Sequence, residues 1–562
     1  MIHAQSVTVE KLTGGQGVVA CLKRERVSKV FCVPGESYLP VMDAIYDEPS
    51  IELISCRHEG GASFMAEGYA KASGEPGVVM ATRAVGGANL AIGIHTAYQD
   101  STPMVVFLGQ VHTAFRGREG FQEVELDQFF SHIAKWTVEI KDAARVPELV
   151  TRAFKTARSG RPGPVVVSLP EDMLRDVAEM AFSPAMERSK PAPSLSELEK
   201  AGVLLKKAKR PIIIAGGGVI RANAEKELLS FAEAAGIPVM ASFRRHDVFP
   251  NNHPLYAGHL GLGTPLPIIE TAKQADVILT IGSRLSEITS QDYSLFNKEQ
   301  QLIHIDISEE TIGKTFIPAV GMLADAKEAL DALASLKLKL TIQAEAAEWA
   351  AERRRVFEKC AAAETAERAA GALSYRQSIQ LLQSELPAET IFTNDAGNFA
   401  TWLHNYFCFT QANTYIGPTS GAMGYGIPAA IGAKLARPHT PVVSLSGDGG
   451  AMMTIQELET AVRYNLPVIC IIYNNQMYGT IRMHQEIHYP EKVVGTELGN
   501  VNFVLLAQSM GASGELIETA DQFKAALHKA IESKTPALLE LRMDPEQISV
   551  SKTITELRQS NQ

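Results

Sequence analysis

The chain has 562 residues, 46% of them hydrophobic and 21% charged, with a formal net charge of −10. It is too long for one core, so at ~150 residues per domain it predicts three or four globular domains. The acidic balance argues against nucleic acid or an anionic membrane as the main partner. Cys21, Cys32, Cys56, Cys360, Cys408 and Cys470 are scattered without a CxxC pair, which fits a reducing cytoplasm. The N-terminus, MIHAQSVTVEKLTGGQG, has no signal pattern, and no apolar run approaches the ~18 residues of a membrane helix.

In chain order, short β-rich runs alternate with helical patterns, which predicts parallel α/β sheets. The first third carries KVFCVP, ELISC, GVVMAT, MVVFLGQ and PVVVSLP. FSPAMERSKPAPSLSELEK, Phe182 to Lys200, then reads as a linker. A second set follows: PIIIAGGGV, IPVMAS, DVILTIGSR and LIHIDI. Ala344 to Leu373 reads as one or two charged connecting helices, and TIFTNDAG, PVVSLSG, PVICIIYNN and PALLELRM form a third set. The expectation is three doubly wound parallel-sheet α/β domains, at 1–185, 195–343 and 370–562, with the first and third alike in outline.

The chemistry concentrates in Ser444 to Asn475, SLSGDGGAMMTIQELETAVRYNLPVICIIYNN. PVVSLSGD reads as a strand ending at Asp448. Met453, Leu458, Ala461 and Val462 have helical spacing, and PVICIIY is a second strand before Asn474 and Asn475. A strand–helix–strand crossover places both strand ends on one sheet edge, where α/β folds bind ligands. Asp448 and Asn475 would converge there as hard oxygen donors suited to Mg²⁺ holding a ligand's phosphates. Gly447, Gly449 and Gly450 let backbone N–H groups approach those phosphates. Taken singly, GDGG and NN are also plain turns; their framing of one crossover unit favours the site.

With those motifs the chain resembles the thiamine-diphosphate enzymes, whose diphosphate–Mg²⁺ motif is similar to GDG followed by NN at this spacing. The resemblance implies Asp448, Asn475 and the main-chain oxygen of Met477 as metal ligands. GPTSGAMGYGIPAAIGAK, Gly417 to Lys434, resembles the segment supporting the thiazolium ring, with Met423 wedged between the cofactor's two rings. Alone, Met423 is one of 17 methionines and reads as core. Pro34, Asn398, Gly421, Tyr478 and Gly479 complete the implied cofactor-binding set.

SCRHEGGASFMAEGYAKASGEPGVV, Ser55 to Val79, resembles the same family's activating-glutamate segment. Glu59 follows a strand and opens a helix whose expected buried face is Ala62, Met65, Ala66 and Tyr69. By itself it is a first-turn glutamate complementing the helix dipole. The resemblance implies that it hydrogen-bonds the aminopyrimidine and drives loss of the C2 proton. Glu67 reads as a solvated or structural carboxylate. The resemblance also implies that Glu59 of one subunit reaches cofactor held by Asp448 of another, hence a homodimer or homotetramer.

Over nearly its whole length the chain is similar to the acetolactate (acetohydroxyacid) synthase catalytic subunit. VFCVPGESYLPVMDAI, RHEGGASFMAEGYA, TAYQDSTPMVVFLGQV, GREGFQE, GRPGPVVVSLPEDM and YNLPVICIIYNNQMYG carry the similarity in matching order. Phe121 and Gln122 fall where that group lines its active site. The implied reaction is decarboxylation of a short 2-oxoacid such as pyruvate, followed by ligation to a carbonyl acceptor or release of an aldehyde.

Three departures bear on the acceptor. The place of the synthases' carboxylate-clamping arginine holds Ile288, within GSRLSEITS, although Arg284 remains. His484 stands where they place a tryptophan, and their Gly-Pro-Gly loop is RAVGGAN, Arg83 to Asn89. Loss of a bidentate clamp leaves two alternatives, an aldehyde acceptor or a new anchor at Arg83 or His484.

IIIAGGGVIRAN and HLGLGTPLP resemble parts of the synthases' FAD region, so retention of FAD is open; GGGVIRANAEK does not fit GxGxxG of a nicotinamide dehydrogenase. His95, His112 and His484 are candidate proton carriers. The rival functions are a decarboxylase or lyase with another donor, and a silent cofactor-binding regulatory subunit. The tail DPEQISVSKTITELRQSNQ reads as a lid or a frayed end.

Overall fold

The computed structural model describes residues 7–186, 188–335, 344–362 and 372–559. Val277–Ile281 and Pro164–Pro170 are buried at every position, as befits strands covered by helices on both faces. Three sheets of six strands result, each parallel throughout.

The C-terminal sheet contains, in chain order, Ile391–Asn394, Tyr415–Ile416, Val442–Gly447, Ile469–Asn474, Ser513–Ile517 and Ala537–Arg542. Numbered that way, its spatial order is 2-1-3-4-6-5, and the N-terminal sheet, from Lys29–Cys32 to Pro164–Pro170, has the same order. The middle sheet, from Pro211–Ala215 to Val320–Leu323, runs 3-2-1-4-5-6. The first and third units therefore share a topology that the middle one lacks. Thr8–Thr13 pairs antiparallel with Val177–Phe182, closing the first unit on itself. No helix among the described residues is long and apolar enough to cross a membrane.

Several local expectations change. The helix expected over 453–462 is split into Asp448–Ala451 and Glu457–Arg463, leaving Met453 exposed. RAVGGAN is no loop but opens the helix Arg83–Asp100. Residues 183–186 and 188–194 of the expected linker are irregular, but its ends belong to a strand and to the helix Leu195–Lys207. The charged stretch forms the helix Ala344–Ala362, while 363–371 lie outside the described residues.

The helix Glu59–Ser73 packs against Gly426–Ala436 at backbone distance. A Cβ at Gly68 would overlap the Ala429 backbone, and one at Gly432 the Met65 backbone. Ala62, Met65 and Ala66 are buried as expected, whereas Tyr69 is half-buried. The solvated option for Glu67 fails. It is fully buried, accepting from Thr102 Oγ1 at 2.6 Å and from Tyr425 Oη, with Lys71 Nζ at 3.0 Å. Its ligands span two units, so this carboxylate fastens the first to the third.

The middle and C-terminal units meet across a second polar seam. Asp247 accepts from the Thr414 and Tyr415 N–H groups at 2.9 and 3.1 Å. His246 stacks on His404 with ring centroids 4.1 Å apart and meets His259 at 4.7 Å. Burial holds all three imidazoles below their ordinary range, His259 at about 4. A depressed histidine favours the unfolded chain, which binds the proton first, so its contribution to stability is lost as pH falls below the ordinary histidine value of 6.5. His259→Gln should therefore gain on the parent by about 1.4 kcal/mol per pH unit from roughly pH 6.5 down to 4. Denaturant titrations near neutrality and near pH 5 measure the gap, and a pH-independent gap would contradict a neutral His259.

Candidate active site

The register Gly447↔Tyr473 sets the ends of two neighbouring parallel strands side by side. Asp448 leaves the first as the first residue of the Asp448–Ala451 helix, and Asn474 and Asn475 end the second. Burial pushes the Asp448 carboxyl up to about 6, opposed by the nearby backbone of Gly449, Gln476 and Met477. The two asparagines diverge. Asn474 is buried, donating to Glu540 Oε1 at 2.7 Å and accepting from Gln476 N at 3.1 Å, whereas Asn475 lines a cavity.

That cavity, about 340 Å³, brings together Met423, Gly421, Gly447, Asp448, Gly449, Gly450, Asn475, Met477, Tyr478, Gly479 and Asn398. Gly421 adopts φ +69°, the left-handed region that favours glycine. Asn398 accepts from Thr480 Oγ1 at 2.9 Å and donates to Ile548 O at 2.8 Å. The tail thus folds over the site: Gln547 and Ile548 join the wall, and Arg558 pairs with Glu486 at 2.7 and 2.8 Å. Among the described residues Asp448 is the only carboxylate on the wall, so a divalent ion held there would take its remaining negative ligands from a bound phosphate. The oxygens of Asp448, Asn475 and Met477 could hold such an ion, and the bare backbone of Gly449 and Gly450 could meet the phosphates.

Pro34, Glu59, Phe121 and Gln122 do not line this cavity. They gather at the strand ends of the N-terminal sheet, around the start of the Arg83–Asp100 helix. Asn89 Nδ2 donates to Glu59 Oε2 at 2.9 Å, Ala84 N donates to Gln122 O at 3.3 Å, and Arg83 Nη1 donates to Phe121 O at 3.3 Å. Phe121 is 72% exposed. His484 and His95 are also exposed, and His112 lies 3.6 Å from Asp172; none touches the cavity. Arg83 is buried and paired with Glu171 and Glu36, so it is not a free carboxylate anchor.

Four residues escaped the sequence reading. Asn89 orients Glu59. Asp395 accepts from Gly424 N at 2.9 Å and Ala396 N at 2.7 Å, securing the turn after Met423. Arg244, from the middle unit, lines the cavity and donates to Asn394 Oδ1 at 3.1 Å and Asp395 O at 3.2 Å. Glu457 holds the backbone before Glu59. Asp395, in TNDAG after a strand, had a signal like that of Asp448; Arg244 had none, because its partners are 150 positions away.

In the middle unit Gly216 and Gly218 press against Gly282, at the strand ends where the sheet order reverses. A cavity of about 130 Å³ there is lined by Gly217, Gly218, Arg161, Arg245, Arg284 and Asp306, among others. Burial lowers Arg284 to about 10 and raises Asp306 to about 6. A neighbouring cavity of about 410 Å³ shares Arg161 and Arg284 and includes Ile288.

Comparison with known proteins agrees with this geometry. Family models match the C-terminal TPP binding domain of thiamine pyrophosphate enzymes at 395–541, their central domain at 198–333 and their N-terminal TPP binding domain at 12–130. The probable acetolactate synthase large subunit of Methanocaldococcus jannaschii is 33% identical over 550 residues, 95% of this chain and 92% of the relative. The isozyme 2 large subunit of Escherichia coli acetolactate synthase is 32% identical over 536 residues, 95% and 96% of the two chains. A sulfoacetaldehyde acetyltransferase of Rhodobacter capsulatus is 31% identical over 544 residues, 93% and 92%. With three matched domains and full-length relatives, the chain belongs to the thiamine pyrophosphate enzymes and is acetolactate synthase-like.

Proposed function

We propose that this enzyme decarboxylates a short 2-oxoacid such as pyruvate and joins the remaining fragment to a carbonyl acceptor, using thiamine diphosphate and Mg²⁺. The observation that carries this reading is the cavity at the C-terminal switch point, where Asp448, Asn475 and bare glycine backbone converge. In this reading Asp448, Asn475 and the Met477 main-chain oxygen hold the ion. Gly447, Gly449 and Gly450 meet the diphosphate, Met423 supports the rings, and Asn398, Gly421, Tyr478, Gly479 and Pro34 complete the enclosure. When bound, the cofactor supplies a carbanion at the thiazolium C2 and an electron sink for loss of CO₂. Glu59, oriented by Asn89, holds the proton shared with the aminopyrimidine ring nitrogen. Phe121 and Gln122 line the substrate side, and His484, on the helix that begins beside the cavity, is the acceptor-facing candidate. The three units are taken as domains at 1–185, 195–343 and 370–562, and six free cysteines support a cytoplasmic setting.

The engagement of Arg83 by Glu171 and Glu36 removes one anchor for a second carboxylate and supports an aldehyde acceptor. Enzyme reconstituted with thiamine diphosphate and Mg²⁺ should convert pyruvate plus an aldehyde to a ligated product identified by mass spectrometry. Acetolactate from pyruvate alone would instead favour a second 2-oxoacid, and no consumption of pyruvate would reject the donor.

Separation of Glu59 from the cavity supports a homodimer or homotetramer with shared sites. Val85 and Ile92 on the Glu59 side, and Met452 and Met453 after the Asp448 helix, are exposed apolar side chains available to such an interface. Glu59→Gln and Asp448→Ala should each be inactive, and subunit exchange between them should restore about a quarter of parental turnover, since half the dimers are mixed and each regains one site. A mixture as inactive as its components would place Glu59 and Asp448 in the same subunit's site.

The middle-unit cavity suits an adenine dinucleotide such as FAD, with glycine backbone and arginines for a pyrophosphate and Asp306 for a ribose hydroxyl. Extraction of the purified enzyme should release such a nucleotide, yellow if it is a flavin. An extract free of nucleotide, from enzyme that also binds none when it is added, would reject this assignment.

A further inference from the structure

Glu59 is delivered by a short piece of backbone, Arg57 and His58, that leads into the helix Glu59–Ser73. The N–H groups at a helix start have no partner within the helix and need one from elsewhere. His58 supplies one, its Nδ1 accepting from Gly60 N at 3.0 Å. The preceding pair is satisfied by Glu457, a fully buried residue of the C-terminal unit. Its Oε1 accepts from His58 N at 2.9 Å, and both its oxygens lie 3.2 Å from Arg57 N. Thr460 Oγ1 donates to Oε2 at 2.8 Å and holds the carboxylate in place.

The fit is close on every side. A Cβ at Gly61 would overlap Glu457 Oε1, so the first turn of the helix sits directly on the carboxylate. The approach strand is tied to the same helix, Glu457–Arg463, and its end: Ser55 N donates to Tyr464 Oη at 2.8 Å, and Arg463 Nη2 donates to Ser55 O at 2.7 Å. By contrast, among the described residues the Glu59 carboxylate itself has one side-chain hydrogen-bond partner, Asn89. Its position is therefore set mainly by where residues 57 and 58 are held.

We propose that Glu457 is a positioning residue for Glu59, fixing the backbone from which the activating carboxylate projects. This rests on the reading of Glu59 as activator. Displacement of a reacting group by about 1 Å can cost on the order of a hundredfold in rate, so loss of the clamp should appear in cofactor activation before it appears in cofactor affinity.

The test is the rate of hydrogen–deuterium exchange at the thiazolium C2 in full-length enzyme saturated with thiamine diphosphate and Mg²⁺, followed by quenched-flow NMR. Glu457→Ala should slow exchange by about tenfold or more with cofactor affinity changed far less. Glu457→Gln should stay close to the parent, since its amide oxygen still accepts from Arg57 and His58 and its NH₂ can donate to Thr460. Gly61→Ala, which displaces the carboxylate without removing it, should fall between them and serves if Glu457→Ala does not fold. Parental exchange in cofactor-saturated Glu457→Ala would overturn the proposal. Glu59→Gln is run alongside: if it too exchanges at the parental rate, the activator reading has failed, whereas slow exchange there with normal exchange in Glu457→Ala rejects the positioning role alone.

Discussion

Parallel pairing of Val442–Gly447 with Ile469–Asn474 is the constraint on which the rest of the molecule depends. Parallel strands end together, and a right-handed crossover returns the chain to the same edge. Asp448 and Asn475 are therefore neighbours although 27 positions separate them in the sequence. The neighbouring strand, Ile391–Asn394, adds Asp395 and Asn398 at the same edge. Gln547 and Ile548 of the tail close this edge, and Glu59 stands at the strand ends of the N-terminal sheet instead.

The same topology leaves a second problem, the joining of three closed units. Their sheets are already covered by helices, so the contacts between units run through polar groups that must be satisfied once water is excluded. Glu67 does this between the first and third units through Tyr425, Thr102 and Lys71. Asp247 and Arg244 do it between the middle and third. These side chains look like candidate catalytic groups in a sequence, yet their hydrogen bonds commit them to holding the units together. Glu457 belongs to the same class by its burial, but its place beside Glu59 gives it a further consequence.

Ile288 borders a cavity that also contains Arg161 and Arg284, but those guanidinium groups donate to carbonyls at the end of the Arg83–Asp100 helix, Tyr98 O and Gln99 O. They complement the negative end of that helix. A cation committed in this way is a weaker carboxylate clamp than a free, bidentate arginine.

The sequence by itself determined the fold class, the three α/β units and the two motifs at strand ends, because alternating strand and helix patterns and glycine-flanked aspartate are local signals. It also placed the helix of Glu59, and three of the four positions expected to be buried in it, Ala62, Met65 and Ala66, are so. It misplaced the helix after Asp448, since Met453 has helical spacing but the chain turns before Glu457. It could not show that Glu67, Arg244 and Glu457 are held by partners from other units, nor that Arg83 is taken up by Glu171 and Glu36 of its own unit. Those facts are decided by tertiary structure, because burial and pairing across hundreds of residues leave no periodicity in the chain to read.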